Sequence, residues 1–251
     1  MKGIVLCCLT LVSWCDAADG IFAIIVTDRA TRRGVPLVEL STTAGQRWVT
    51  DSNGVVAIDD PVLLGQDKVF FHVRSHGYQF PKNGFGARGT TLAVLPGTQA
   101  ALEVDRAQIA ERLYRATGAG IYGHSVKAGL DIPIQHPLLN AGVTGCDSVV
   151  SVVYGKKLHW FWGDTNRIHY QLGNFHTTGA TSALPGSEGF LSPDKGVNFV
   201  YFEDGKGFVK PMAKMPGDGP TWISGLAVLP DKDGRQRLVG MYEKVQGFLT
   251  V

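Results

Sequence analysis

The sequence lacks several patterns that would place it in a functional class. It has no Asn-x-Ser/Thr sequon, no run of more than two consecutive basic residues and no stripe of basic residues interleaved with aromatic ones. The last two absences argue against a nucleic-acid partner, because phosphate binding needs clustered positive charge. The apolar segment at 4–12 is too short to span a membrane. Only four cysteines are present, and three of them fall within the first fifteen residues.

The N-terminus has the features of a secretory signal peptide at 1–17. Lys2 provides a positive charge, Ile4–Val12 is apolar, and Cys15-Asp16-Ala17 has a small-x-small cleavage pattern. A lipid anchor on Cys15 is the alternative, although bulky Trp14 stands where that processing favours a small residue. Either way, we expect a secreted or periplasmic protein. Cleavage leaves Cys146 alone, so no internal disulfide forms, and a single strand cysteine is typical of a core residue.

The overall composition is that of an ordinary globular protein. The 251 residues are 44% hydrophobic and 18% charged, with a net charge of +2, which allows one or two hydrophobic cores.

The region 19–105 contains short alternating segments that predict an all-β fold beginning with a β-sandwich. The predicted strands are Ile21–Val26, Val35–Leu40, Arg47–Thr50, Val55–Ile58, Lys68–Val73, Thr91–Leu95 and Ala101–Val104. Two of the turns between them, Gly34-Val35-Pro36 and Thr50-Asp51-Ser52-Asn53-Gly54, resemble the transthyretin-like, carboxypeptidase regulatory-like module. The resemblance implies a non-catalytic accessory domain. We interpret His72, Arg74 and His76, around one strand end, as a solvated face.

A linker at 106–130 carries a predicted helix. Asp105 with Gln108 fits a helix N-terminus, and Gly118 fits a C-terminus. The apolar stripe consists of Ile109, Leu113 and Tyr114.

The region 131–251 has longer, aromatic-rich strands. Three pairings are predicted: Asp147–Val153 with Leu158–Gly163, Asn198–Glu203 with Gly207–Lys210, and Trp222–Leu229 with Arg237–Tyr242. In the first, the two-residue turn Gly155-Lys156 places Asp147 opposite Asp164. Opposed carboxylates repel each other, so the pair indicates acid/base chemistry, a metal or a polar ligand. The alternative is that both carboxylates are solvated and only cap turns.

These hairpins resemble the first blades of glycosidase-like five-bladed propellers, relatives of the arabinanases and invertases. The motifs are Asp147-Ser148, the run from Leu158 to Thr165, and Gly225-Leu226 ahead of Met241-Tyr242. The resemblance implies that Asp147 is the catalytic base or nucleophile. It also implies that Asp164, Asn166, Arg167 and Trp222 bind a poly- or oligosaccharide, with Arg167 placed to neutralise the aspartates. No cofactor is indicated, and a calcium ion is left open.

The length of this region predicts a partial propeller. From Asp147 to Val251 there are 105 residues, enough for about two blades of roughly 40–50 residues each. We therefore expect a fragment of an exported carbohydrate-active protein that is inactive alone, because glycosidic cleavage needs two flanking carboxylates. The alternative is a non-catalytic extracellular module that binds a glycan or a protein.

Overall fold

The computed structural model describes residues 20–168, 170–174 and 176–246, with only the backbone course for 170–174. Strands make up 43% of the protein and helix 2%, which confirms the predicted all-β class. The predicted signal segment 1–17 and the apolar terminus 248–251 lie outside the described residues. Among the described residues, no helix is long and apolar enough to cross a membrane.

The first part of the chain forms two four-stranded sheets. In chain order the strands are β1 Phe22–Asp28, β2 Glu39–Thr42, β3 Arg47–Val49, β4 Val55–Ile58, β5 Gln66–Arg74, β6 Tyr78–Gln79, β7 Gly89–Val94 and β8 Gln99–Arg106. One sheet has the order β4-β1-β8-β6 and the other β3-β2-β5-β7. All seven predicted strands have a counterpart. β2 begins four residues later than predicted, because Pro36 has no N–H and Leu37 has a φ of 61°.

One hydrophobic cluster draws on both sheets. Phe22 and Ile24 from β1 are buried together with Leu40 from β2 and Phe71 and Val73 from β5. Neighbouring positions on β5, such as His72 and Arg74, face outward and are half-buried or exposed. This alternation is the period-two pattern from which the strands were predicted.

The two glycine turns noted in the sequence pack against each other. A Cβ on Gly34 would lie 1.8 Å from the carbonyl oxygen of Asn53, and one on Gly54 would lie 2.3 Å from that of Val26. The carboxylate of Asp51 is buried and accepts hydrogen bonds from the backbone N–H groups of Asn53 and Val55. Both turns therefore require glycine because of close backbone approach.

The helix predicted at 105–118 is wrong, since β8 continues to Arg106 and 107–118 has no regular secondary structure. Its polar groups bond to the first two sheets instead of to each other. The Arg112 guanidinium donates to the carbonyls of Pro36 and His76, and the Arg112 N–H donates to the Tyr78 hydroxyl. Ile109, expected on the apolar face, is fully exposed. The short helix in the 106–130 region is α1, Gly123–Lys127.

The rest of the chain forms three smaller sheets. The strands are β9 Val143–Cys146, β10 Val149–Tyr154, β11 Lys157–Trp162, β12 Thr165–Arg167, β13 Tyr170–Asn174, β14 Thr178–Ser182, β15 Val200–Tyr201, β16 Thr221–Pro230 and β17 Gln236–Lys244. They are arranged as β10-β11-β14-β15, β13-β12-β9 and β16-β17. A second core lies here, with Trp162, Phe199 and Tyr201 packed edge to face or tilted.

Two of the three predicted pairings are confirmed and the third is shorter than expected. β10 pairs with β11 in the predicted register, Tyr154 opposite Lys157, and β16 pairs with β17. The predicted pairing of 198–203 with 207–210 reduces to a bridge between Glu203 and Val209. β14 was not predicted, because its sequence TGATS looks polar although all five residues are buried.

Candidate functional site

The predicted carboxylate pair lies where the β10–β11 hairpin passes from one sheet into the next. Asp147 connects β9 to β10, and Asp164 connects β11 to β12. The Asp147 N–H donates to the Asp164 carbonyl over 2.9 Å, and the Gly163 N–H donates to the Asp147 carbonyl over 2.9 Å. Asp147 therefore stands opposite both Gly163 and Asp164, a bulge-like irregularity in the ladder. Ser148 has a φ of 53°, so the backbone bends at this point.

The two carboxylates have different surroundings. Asp147 is exposed, and its Oδ1 accepts a hydrogen bond from the Ser148 N–H over 2.6 Å. Asp164 is half-buried, and its Oδ1 is buried without a hydrogen-bond partner among the described residues. The pKa of Asp164 is raised, first by burial and second by the negative charge of Asp147. The two residues therefore stand opposite each other in the backbone, as expected, and the charge of Asp147 acts on the carboxyl group of Asp164.

Arg167 does not neutralise the aspartates. Among the described side chains, its guanidinium forms no ion pair with either carboxylate. It lies 5.4 Å from the centre of the Phe208 ring instead. Its Nε is buried and has no hydrogen-bond partner in the part of the chain that is described. The register of β12 against β9 shifts just before Arg167, so its position could not be read from simple alternation.

The remaining predicted ligand residues are divided between two sheets. Asn166 lies on β12 opposite Gly145, close along the chain to Asp164. Trp222 lies on β16 opposite Glu243, in the separate two-stranded sheet, which packs against β10. The hairpin therefore brings Asp147, Asp164 and Asn166 into one stretch of sheet, and Trp222 belongs to another.

Cys146, next to Asp147, is a half-buried thiol whose pKa is raised. Burial raises its pKa to about 11, and nearby hydroxyls, including Thr165 Oγ1 at 3.7 Å, only partly offset this. The thiolate is the nucleophilic form, so a raised pKa opposes covalent chemistry at this position.

The candidate site holds two carboxylates and no larger ligand set. Within 20–168 and 176–246, no group of three or more His, Cys, Asp or Glu side chains is placed to hold a metal ion.

A large concavity that the sequence did not predict as a site lies on the outer face of β3-β2-β5-β7. It encloses about 980 Å³, and its polar lining includes Arg47, His72, Arg74 and Arg88. A smaller cavity of about 360 Å³ lies beside the Gly34 turn and is lined in part by Arg33, Tyr122 and Asp194. The signal for the larger concavity was the outward-facing polar residues on β2, β3 and β5. Of these residues and their neighbours, we had interpreted only His72, Arg74 and His76 as a solvated face.

Comparison with known proteins found no match of the chain to a family model, to a curated protein or to a solved structure.

Proposed function

We propose that this is an exported carbohydrate-active protein whose second part binds a glycan at the Asp147–Asp164 pair. The observation that supports this most directly is the buried, unpartnered Oδ1 of Asp164 beside a second carboxylate. A buried acceptor without a donor is costly, and a sugar hydroxyl can supply that donor. The unpartnered Nε–H of Arg167, also within the described part, is a donor for the same kind of ligand.

We further propose that the two parts are a transthyretin-like sandwich followed by propeller-like blades. The first part of the proposal is supported by two four-stranded sheets around one core and by the contact of the two motif turns. The second is supported by the four-stranded antiparallel sheet β10-β11-β14-β15, followed by the β16–β17 hairpin.

Binding without cleavage is the activity we propose for the described residues. Glycoside hydrolysis places one carboxyl group on each side of the scissile bond. Asp147 and Asp164 lie opposite each other at the open end of one hairpin. Both carboxylates would therefore approach a bound sugar ring from the same side. The pKa of Asp164 is raised, so Asp164 is the proton-donor candidate, and Asp147 remains the base candidate.

A glycan-retention experiment tests this proposal. The purified 251-residue chain is run in native gels containing neutral polysaccharides, arabinan and levan among them, and Asp164→Asn is compared with the wild type. We expect wild-type retention by at least one polymer and roughly fivefold weaker retention by the variant, because an amide replaces one acceptor oxygen by a donor. Asp233→Asn, in the exposed turn after β16, is the matched control and should behave as wild type.

Two outcomes would overturn the proposal. One is that no glycan retards the wild type, and the other is that Asp164→Asn is retarded as strongly as Asp233→Asn. Release of reducing sugar by the wild-type chain would instead show that cleavage needs no further carboxylate.

A further inference from the structure

The outer face of the β3-β2-β5-β7 sheet forms a groove that the proposed function does not use. Its floor includes Ser41 on β2, which carries a small side chain. Arg47 and His72 flank Ser41 directly across the ladder, and Arg74 stands on β5 opposite Glu39. We call this surface the arginine groove.

Positive charge dominates the arginine groove. Arg47, Arg74 and Arg88 line it, together with a single acidic residue, Glu39. Arg74 and Glu39 approach to 3.8 Å with Arg74 largely exposed, so this contact is a weak surface ion pair. Arg88 donates to the Phe80 carbonyl and to Gln79, which fixes its guanidinium at the rim.

The arrangement of the arginines suits a ligand with several anionic groups. β3 and β5 lie on opposite sides of β2, and Arg47 and Arg74 pair with Ser41 and Glu39, two residues apart on β2. The two arginines therefore start from backbone positions roughly 12 Å apart. Guanidinium groups recognise planar oxyanions through paired N–H donors. A long open groove with separated guanidinium groups therefore matches a chain of repeating acidic units better than one small anion.

The residues that line the arginine groove also favour an acidic glycan over a nucleic acid as the ligand. Single-stranded nucleic acids are held by exposed aromatic rings on which the bases stack. Of the described Phe, Tyr and Trp side chains, Tyr78 is the one that lines the arginine groove, and it is buried with its hydroxyl accepting the Arg112 N–H. The smaller imidazole rings of His72 and His76 also line the groove. We propose that the arginine groove binds an acidic polysaccharide through the carboxylate groups of its sugars. This site is independent of the Asp147–Asp164 pair.

Calorimetric titration with polygalacturonate oligosaccharides at low ionic strength tests the proposal. The test variant is R47Q/R74Q, and the matched control is K232Q/R235Q, which removes two exposed positive charges from the β16–β17 turn. We expect about tenfold weaker binding by the groove variant, since charged hydrogen bonds are lost, and less than a twofold change in the control. Circular dichroism melting confirms that both variants are folded. Neutral dextran oligosaccharides should not bind in the arginine groove, and added salt should weaken the polygalacturonate complex.

Four results would overturn the proposal. The first is that the wild type does not bind polygalacturonate, and the second is that both double variants lose affinity equally, which would indicate non-specific charge attraction. The third is that the groove binds single-stranded DNA of similar charge more tightly than the polysaccharide. The fourth is that inorganic sulfate, at the same total charge, competes as well as the polymer does, because binding would then not depend on several linked anionic groups.

Discussion

Asp164 destabilises the fold when it is ionised, and it is also a candidate ligand-binding residue. Its carboxyl group is half-buried next to Asp147, and both effects disfavour the charged form. A carboxyl group whose pKa is higher in the folded than in the unfolded protein binds more protons when folded. It therefore destabilises the fold above that pKa, and the cost disappears as the pH falls below its unfolded value.

Replacing Asp147 by Asn should stabilise the protein at pH 7 by about 0.5 kcal/mol, within the range for like charges opposed across strands. Asn keeps the Oδ1 acceptor that the Ser148 N–H uses, so the change removes the negative charge and replaces only the second oxygen by an amide donor. The gain should shrink as the pH falls through the acidic range, because Asp164 then becomes neutral in both states. Urea unfolding at several pH values measures it, with Asp233→Asn as control. An equal gain at all pH values would contradict the electrostatic explanation.

At the scale of secondary-structure elements, the residues of a turn predicted the structure better than the residues of a helix-capping pattern did. The Gly155-Lys156 turn has φ values of 57° and 61°, typical of the two-residue hairpin turn, and it fixed the register of β10 and β11. The capping pattern at Asp105 and Gln108 failed because Arg112 and its neighbours found hydrogen-bond partners on the sheets. Hydrogen bonds to residues distant in the chain outweighed the weak local preference for a helix.

The contact between the two glycine turns predicts a large effect of Gly34→Ala. The new Cβ would lie within 2 Å of the Asn53 carbonyl, so the two turns must move apart. We expect about 3 kcal/mol of destabilisation, measured by urea unfolding. Gly84→Ala is the matched control, because a Cβ there meets no atom within 4 Å, and its stability should change by less than about 0.5 kcal/mol. Similar stability of the two variants would show that the turns separate easily.

At the scale of the whole molecule, residues 107–131 are integrated into the first two sheets. Ala128 and Leu130 pack with Ile21, Ala23 and Val55 in a separate hydrophobic cluster. The Ser125 N–H donates to the buried Asp51 carboxylate over 2.6 Å, and the Ser52 N–H donates to the Ile121 carbonyl. The segment after β8 therefore covers the β1–β4 face.

A chain of residues 20–131 should be more stable than one of residues 20–106. The shorter chain leaves the apolar side chains of β1 and β4 exposed and Asp51 without the Ser125 donor. Differential scanning calorimetry should give a melting temperature at least about 5 °C higher for the longer chain. Equal melting temperatures would mean that residues 107–131 contribute nothing to the stability of the sheets.

The sequence by itself determined the all-β class, the positions of the N-terminal strands, the β10–β11 register and the opposition of Asp147 to Asp164. Each of these follows from short-range periodicity or from a two-residue turn, which act within a few residues. Only the tertiary structure decided that 107–122 is not helical and that polar-looking β14 is buried. It also decided that Arg167, within the described residues, contacts Phe208 and forms no ion pair with either aspartate. It also decided that Arg47, Arg74 and Arg88 share one groove, since their proximity depends on strand order, which pairs residues distant in the chain.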